Sequence, residues 1–338
     1  MTADYPPLAE ALAAHGLEGV PEEDFPNDGW SGARLTRLTR ADGARFVLKR
    51  DALALDWIAR VTDDVADLRE ALLAHAAPAM PAPVRLPHLA VARDGDLVAE
   101  LMPDLTGILL RWEHPTRDAE VDAVLAALAA LHAAPWPAQL PADFPWTDLR
   151  TRVTLLTRGS AERYHAAGLP VGARFLAGWD ALDRHVPPGV RALLDGLSRA
   201  PGPLLAALQR LPDVGLHGDL KLGNVGIGGD GTAWMIDWQM TLVAPVAVEL
   251  GWFLVCNVAG LQMPPDAALE RYRVLAGIAD DDGWRATWDL AILVGIVLRG
   301  WRKGLDTEAG VTYPSGVTAA ADLAWWGRRA LEAADRRL

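Results

Sequence analysis

Two pairs of short apolar stretches, each joined by a turn that contains Asp-Gly, lie between residues 29 and 102. In the first pair, Leu35 and Leu38 precede the turn at 41–43, and the apolar run 46–48 follows it. The second pair comprises residues 89–92 and 97–101, with its turn at 94–96. Apolar strands on both sides of such a turn are typical of hairpins, so this region is predicted to form a small antiparallel sheet.

One helix is predicted within the sheet region, over residues 51–76. Trp57, Val61, Val65, Leu68 and Leu72 recur at spacings of three and four, which is the period of a helix with one buried face. Several prolines follow residue 77, and they are expected to end the helix because proline cannot continue the hydrogen-bond ladder.

Beyond residue 103 the apolar pattern predicts mainly helices. A stripe from Val121 to Leu131 marks one helix that ends before Pro135. Residues 140–210, which are rich in Pro, Gly and Arg, are predicted to form short helices joined by loops. Two short strands are expected near 222–237, and further helices are expected at 246–260, 265–277, 284–303 and 317–336.

These elements predict an α+β chain with an N-terminal extension (1–28), a small sheet lobe (29–102) and a larger, mainly helical lobe (103–338). Two lobes of unequal size leave a cleft between them, and ligands commonly bind in such clefts. We therefore expect the functional residues to meet between the sheet and the helices.

The charge and the apolar content of the chain restrict the kinds of partner that it can bind. The 338 residues carry a formal net charge of −12, which opposes nucleic acid, and no dense basic stripe offsets it. The longest apolar runs are shorter than the ~20 residues of a membrane helix, and the N-terminal residues lack a signal-peptide pattern. We expect a cytoplasmic protein that binds neither nucleic acid nor membrane.

Cys256 is the one cysteine, so no intrachain disulfide forms, and its apolar surroundings favour a buried residue over a nucleophile.

The densest chemical signal is His-Gly-Asp-Leu-Lys-Leu-Gly-Asn at 217–224, followed by Ala-Trp-Met-Ile-Asp-Trp at 233–238. Phosphoryl transfer needs a positioned nucleophile, a carboxylate to accept its proton and cations that neutralise the phosphates. Asp219 and Asn224 share one predicted loop, and Asp237 ends an apolar run. An Asn and an Asp supply the hard oxygen ligands that Mg²⁺ takes beside phosphates and water. The pattern therefore favours metal-assisted phosphoryl transfer.

These residues resemble the catalytic loop and the metal-binding strand of the aminoglycoside phosphotransferase and choline kinase group, which is related to the protein kinases. The group's pattern is His-Gly-Asp, four residues, Asn, and then Ile-Asp-Trp or Ile-Asp-Phe, as found at 217–224 and 236–238. The resemblance implies a protein kinase-like bilobal fold, Asp219 as catalytic base, and Asn224 and Asp237 as Mg²⁺ ligands. Lys221 is instead similar to the lysine of the Asp-x-Lys sequence in Ser/Thr protein kinases, which implies that it stabilises the transferring phosphoryl group.

Weaker matches to the same group imply a nucleotide site in the sheet lobe. Lys49 ends an apolar strand and resembles the lysine that pairs with the α- and β-phosphates. An acid on the following helix would anchor this lysine. Glu70 is our choice, and Asp64 and Asp67 are the alternatives.

The rest of the nucleotide site is expected at two backbone segments. Residues 29–33 are rich in glycine, and Ser31 and Gly32 are expected to approach the phosphates. The hinge is expected at 99–102, where the backbone of Glu100 and Met102 would meet the base. Because backbone groups would read the base there, the sequence leaves ATP and GTP open as donors.

Two further residues resemble supporting positions of the group. His132 corresponds to the histidine of its common Leu-His pair, which implies a packing or hydrogen-bonding role. Glu249 stands where many relatives have an aspartate that holds the backbone of the catalytic loop. The resemblance therefore implies that Glu249 supports residues 217–224.

The resemblance implies an enzyme that moves the γ-phosphoryl group of ATP, with Mg²⁺, to a hydroxyl of a small molecule. Aminoglycosides, sugars, amino alcohols and other small hydroxyl compounds remain open as acceptors, with a protein hydroxyl as a weaker alternative, and the oligomeric state is open. One alternative is a catalytically silent kinase-like protein that only binds nucleotide. The other is a metal-dependent phosphoesterase, which would need further His and Asp ligands that are missing around 219–237.

Overall fold

The computed structural model describes residues 3–26, 31–111, 114–257 and 260–338. Residues 29 and 30 of the glycine-rich segment lie outside this part. The strands are β1 (Glu22–Asp24), β2 (Arg34–Thr39), β3 (Arg45–Asp51), β4 (Val84–Arg85), β5 (Ala90–Asp94), β6 (Leu97–Pro103), β7 (Asp213–Leu216), β8 (Val225–Ile227), β9 (Ala233–Met235) and β10 (Leu242–Pro245).

Helices make up most of the chain after β6. The helices are α1 (Leu8–Ala14), α2 (Trp57–Val61), α3 (Arg69–Ala76), α4 (Asp118–Ala133), α5 (Leu149–Thr154), α6 (Arg158–Ala166), α7 (Pro170–His185), α8 (Pro188–Arg199), α9 (Gly202–Leu208), α10 (Ala247–Cys256), α11 (Pro265–Leu275), α12 (Asp282–Glu308) and α13 (Ala319–Arg337). Within the described ranges, none of these helices is both long and apolar enough to cross a membrane.

The N-terminal sheet has five antiparallel strands in the order β1-β2-β3-β6-β5. Both predicted hairpins are confirmed, β2 with β3 and β5 with β6. Alternate residues of a strand face the same side, so Leu38, Phe46 and Leu48 form one apolar face, which Ala11 and Leu17 cover. The sheet thus begins before the predicted boundary at residue 29, because β1 and the cover from α1 both belong to the segment 1–28.

The prediction of a single helix over 51–76 is wrong, because the chain folds there into α2 and α3. Asp56 caps α2 by accepting hydrogen bonds from the backbone N–H groups of Ile58 and Ala59. Asp64 accepts from the N–H of Arg69, the first residue of α3. Such side-chain caps compete with the helical ladder, so the apolar period alone does not secure one continuous helix.

The long helix α12 forms the centre of the helical lobe and packs against α7, α10 and α13. It crosses α10 at two glycines, where the backbones approach closely. A Cβ atom at Gly251 would lie 2.3 Å from the carbonyl oxygen of Ala291, and one at Gly295 would lie 2.7 Å from that of Gly251. This contact fixes the position of α10, which follows the functional segment 217–238.

Replacing Gly251 with Ala should lower the free energy of unfolding by about 2 kcal/mol, because the added methyl group forces α10 and α12 apart. Gly196 within α8 provides the matched control, since a Cβ there meets no atom within 4 Å. Gly196→Ala should raise stability by about 0.5–1 kcal/mol through lower backbone entropy of the unfolded chain. Urea unfolding measures both variants, and equal effects would contradict the close crossing.

Candidate active site

The loop 217–224 connects β7 to β8 and is held by the short sheet that β7 forms with β10. Gly218 has φ +86°, and a Cβ atom there would lie 2.0 Å from the carbonyl oxygen of Met240. Only glycine fits this position, which explains the middle residue of His-Gly-Asp. The loop ends in a 3₁₀ turn that places Asn224 directly before β8.

Glu249, in the first turn of α10, holds the start of this loop. Its carboxylate accepts hydrogen bonds from the backbone N–H groups of His217 (2.9 Å) and Gly218 (2.7 Å). It also lies 3.2 Å from Nε2 of His132, whose Nδ1 is 2.8 Å from the hydroxyl of Tyr272. Burial disfavours the charge on Glu249, but the bond to His132 and the backbone bonds outweigh burial and lower its pKa. Glu249 and His132 therefore make the supporting contacts that were predicted for them.

The side chain of His217 connects the loop to the strand that leads to Asp237. Its Nε2 lies 2.9 Å from the carbonyl oxygen of Ile236, and its Nδ1 accepts a hydrogen bond from the N–H of Asp219. These partners assign the proton to Nε2 and leave His217 without a free nitrogen for a metal. The histidine thus fixes the spacing between Asp219 and Asp237.

Asp219, Lys221, Asn224 and Asp237 meet at one place. The ammonium of Lys221 donates to Asp219 Oδ2 at 3.0 Å, and Asn224 Nδ2 donates to the backbone oxygen of Asp219 at 3.0 Å. With its nitrogen engaged, Asn224 retains its side-chain oxygen as an acceptor. Burial raises the pKa of Asp219, but the charges of Lys221 and Arg152 outweigh it and lower the pKa overall. Asp219 is thus ionised, as a proton acceptor must be.

Asp237 follows β9 with φ +70°, an uncommon backbone conformation for a residue other than glycine. Burial, and after it the charge of Asp219, raises the pKa of Asp237. A buried carboxylate beside a second one gains stability from a cation. The oxygens of Asp237 and Asn224 therefore have the chemistry that a Mg²⁺ ion requires.

Glu70 connects the sheet to this centre. Its Oε2 lies 2.5 Å from the ammonium of Lys49, and its Oε1 accepts a hydrogen bond from the N–H of Trp238 at 3.1 Å. The alternatives are engaged elsewhere, Asp64 with the start of α3 and Asp67 with Arg93. The structure therefore pairs Lys49 with Glu70.

Glu100 does not lie where the sequence placed it. It stands opposite Lys49 in the middle of the sheet, and its carboxylate is buried, 3.8 Å from the Lys49 ammonium. Where the chain passes from the sheet lobe to the helical lobe, the residues that border a cavity are Met102 to Thr106. The predicted hinge at 99–102 is thus too early, because β6 continues to Pro103 and keeps Glu100 paired with β3 and β5.

His88 is a buried charged group that the sequence analysis missed. Its Nε2 lies 2.8 Å from Glu100 and 3.4 Å from Glu70. Burial opposes its charge, but the two glutamates outweigh burial and raise the pKa of His88 to about 9. His88, Glu70 and Glu100 could also hold a metal ion by their spacing, but the ammonium of Lys49 and the protonated His88 already balance the two carboxylates. A single histidine in a proline-rich loop gives no signal of this role in the sequence.

Two cavities meet at Asp237 and Ser31, which border both. The cavity under the sheet, about 210 Å³, is bordered by Lys49, Glu70 and Met102 among others. The other cavity, about 360 Å³, lies against the helical lobe. Its walls are formed by Trp57, Ile58, Arg152, Leu155, Leu156, Phe175, Asp219, Lys221, Gln239, Met240, Trp252, Arg299 and Trp301.

Gly32 does not line either cavity but shapes the turn that carries Ser31. It has φ +102°, and a Cβ atom there would lie 2.9 Å from the carbonyl oxygen of Leu55. The glycine is therefore required by the turn itself. The predicted site residues thus line the two cavities, except for Glu100 behind Lys49, Gly32 beside Ser31 and Asn224, which is hydrogen-bonded to the backbone of Asp219.

Three kinases and phosphotransferases of known structure have the same fold. A choline kinase from Cryptosporidium parvum is 11% identical, with a TM-score of 0.58 over 94% of this chain and 90% of its own. An ethanolamine kinase from Plasmodium vivax is 12% identical, with a TM-score of 0.51 over 93% and 82%. A GDP complex of an aminoglycoside 2'-phosphotransferase is 13% identical, with a TM-score of 0.51 over 96% and 94%. The predicted α+β, protein kinase-like fold is confirmed.

The sequence also matches a model of a protein family. The model describes the phosphotransferase enzyme family, APH, and matches residues 24–287. The chain belongs to this family, as the resemblance implied. A search of curated protein sequences finds no match.

The protonated His88 makes stability depend on pH. Its pKa of about 9 exceeds the ~6.5 of an unfolded histidine, so the native state binds this proton more tightly. Its contribution is complete below about pH 6.5 and is lost as the pH rises through about 9. We expect the free energy of unfolding to fall by roughly 2–3 kcal/mol over this range.

Replacing His88 with Gln should flatten this pH dependence, whereas His165→Gln, at an exposed histidine of α6, should preserve it. Urea unfolding at closely spaced pH values measures the slope for all three proteins. The same slope in wild type and His88→Gln would show that another group causes it.

Proposed function

We propose that this protein transfers the γ-phosphoryl group of ATP to a hydroxyl group of a small molecule. The observation that carries this proposal is that Asp237 borders both cavities, with Asp219 beside it in one cavity and Lys49 in the other, while Asn224 is hydrogen-bonded to the backbone of Asp219. A donor in one cavity and an acceptor in the other would bring their reacting groups together there. Such positioning accounts for much of the catalysis of phosphoryl transfer.

The cavity under the sheet would hold the nucleotide. Lys49, fixed by Glu70, would pair with the α- and β-phosphates, and the turn at Ser31 would approach them from the other side. The base would lie against the segment that begins at Met102. One structurally similar aminoglycoside 2'-phosphotransferase has been solved with GDP, so GTP is the alternative donor to ATP.

A Mg²⁺ ion would be held by Asn224 and Asp237, and it would neutralise charge that develops on the phosphates. Asp219 would accept the proton of the acceptor hydroxyl while that oxygen forms its bond to the γ-phosphorus. The bond between this phosphorus and the β–γ bridging oxygen breaks, and ADP leaves. Lys221 would stabilise the transferring group from its position 3.0 Å from Asp219.

The two alternatives receive less support. A phosphoesterase with two metals needs further histidine ligands, and His217 has both ring nitrogens engaged. A silent nucleotide-binding protein has no need of an ionised Asp219, its side chain 13% exposed, that borders a second cavity. Measured turnover separates this alternative from the enzyme.

Asp219→Asn should lower phosphoryl transfer by at least ~100-fold and leave ATP affinity nearly unchanged, because the amide cannot accept the proton. Release of ADP with Mg²⁺ and a panel of alcohols measures the first effect, and calorimetry with ATP the second. Asp230→Asn, at an exposed turn residue, is the matched control and should behave like wild type. Near-normal turnover of Asp219→Asn would remove Asp219 as the base.

Asp237→Asn should abolish most of the Mg²⁺ dependence of ATP binding, because an amide oxygen is a much weaker ligand than a carboxylate. Titration of ATP at increasing Mg²⁺ concentrations measures this dependence, again with Asp230→Asn as the control. If the variant keeps the dependence of the wild type, the metal binds elsewhere. If neither protein binds ATP, the proposed function is wrong.

A further inference from the structure

The cavity against the helical lobe carries an excess of positive charge. Arg152, Lys221 and Arg299 border it. Within the described ranges, its only carboxylates are Asp219 and Asp237, which belong to the proposed transfer centre. A cationic acceptor would find no carboxylate left to pair with, whereas an anionic acceptor would meet arginines.

Arg152 borders this cavity and carries an unused hydrogen-bond donor. The residue is 1% exposed, and its Nε donates to the carbonyl oxygen of Gly218 at 2.7 Å. Its guanidinium lies 4.7 Å from the ring centre of Trp252. In the described part of the chain, the buried Nη1 has no hydrogen-bond partner. A buried charged donor without a partner is costly, and a bound oxyanion would satisfy it.

Arg299 of α12 is the second arginine of the wall. Its guanidinium lies over the rings of Trp252 and Trp301, at 5.5 and 5.7 Å from their centres, and forms no ion pair with any described residue. Arg302, on the same helix, differs because it pairs with Asp306 at 2.8 Å. Burial, and after it the charges of Arg302 and Arg299, lowers the pKa of Arg174, so positive groups are concentrated here.

The remaining walls indicate the shape of the ligand. Four aromatic side chains border the cavity: Trp57, Phe175, Trp252 and Trp301. Aromatic walls favour a flat apolar body, and a volume of about 360 Å³ suits a compact molecule.

Resting on the phosphotransferase function proposed above, we propose that the acceptor is a small alcohol that carries a carboxylate on a flat apolar body. Its hydroxyl faces Asp219, its body lies between the aromatic walls, and its carboxylate binds the guanidinium groups of Arg299 and Arg152. Arginine suits this task because its planar donors match the two oxygens of a carboxylate. Polycationic aminoglycosides and choline do not fit this wall.

Three probes that share one scaffold test the charge preference: para-hydroxymethylbenzoate, its neutral amide, and the cationic para-aminomethyl benzyl alcohol. Calorimetry measures the binding of each, with and without a non-hydrolysable ATP analogue and Mg²⁺. The benzoate should bind about tenfold or more tightly than the amide, and the cation should bind most weakly. Equal affinities, the reverse order, or no binding of the benzoate at millimolar concentration would overturn the proposal.

Arg299→Gln should remove this preference, lowering the affinity for the benzoate about tenfold or more while changing that for the amide little. Arg299→Lys should restore part of it, which a purely structural role of the arginine would not do. Arg285→Gln, on the exposed first turns of the same helix, is the matched control and should keep the wild-type order. An unchanged preference in Arg299→Gln would overturn the assignment of this residue.

Binding and turnover separate this inference from the proposed function. A protein that prefers the benzoate but never consumes ATP with any alcohol refutes the phosphotransferase proposal and keeps the anion site. A protein that phosphorylates only neutral or cationic alcohols refutes the anion site and keeps the phosphotransferase proposal.

Discussion

Glu70 is buried between the sheet and the helical lobe, and its two carboxylate oxygens bind different partners. One oxygen holds Lys49 of the sheet, and the other accepts the N–H of Trp238, next to Asp237. A single rigid group thus sets the distance between the lysine of one lobe and the carboxylate of the other. Two acids, one lysine and one histidine share this buried space, and the charge of His88 balances the second acid, Glu100. The geometry of both cavities depends on this balance of charge. A buried charge without a partner would either move out to solvent or lose its charge by a change of protonation.

A second buried carboxylate, that of Glu249, fixes the position of the loop that carries Asp219. Glu249 accepts two backbone N–H groups at the start of the loop, and His217 connects the loop to the strand before Asp237. The four polar residues of the centre therefore lie on short segments whose backbones are each held by a buried side chain. Preorganisation of this kind avoids reorganisation when charge moves in the reaction.

Much of this arrangement could be predicted from the sequence, because its signals are local. The hairpins follow from Asp-Gly turns between apolar runs, and the spacing of Asp219, Asn224 and Asp237 is contained in one segment. What escaped prediction depends on contacts between distant residues. The roles of three residues depend on neighbours that are distant in the sequence: His88, Arg152 and Arg299. Glu100 is buried because β6 continues past it. The break between α2 and α3 was missed because capping by Asp56 and Asp64 overrides an apolar period that suits one helix.

The residues proposed for phosphoryl transfer and those proposed to select the acceptor lie on different elements. Asp219, Asn224 and Asp237 lie on loops between short strands, whereas Phe175 and Arg299 belong to the long helices α7 and α12. The side chains that hold these loops, Glu70 and Glu249, lie on α3 and α10 and not on α7 or α12. On the proposed function, related chains can therefore differ in the acceptor they select while they keep the same transfer residues, and specificity can change in small steps along one face of α12.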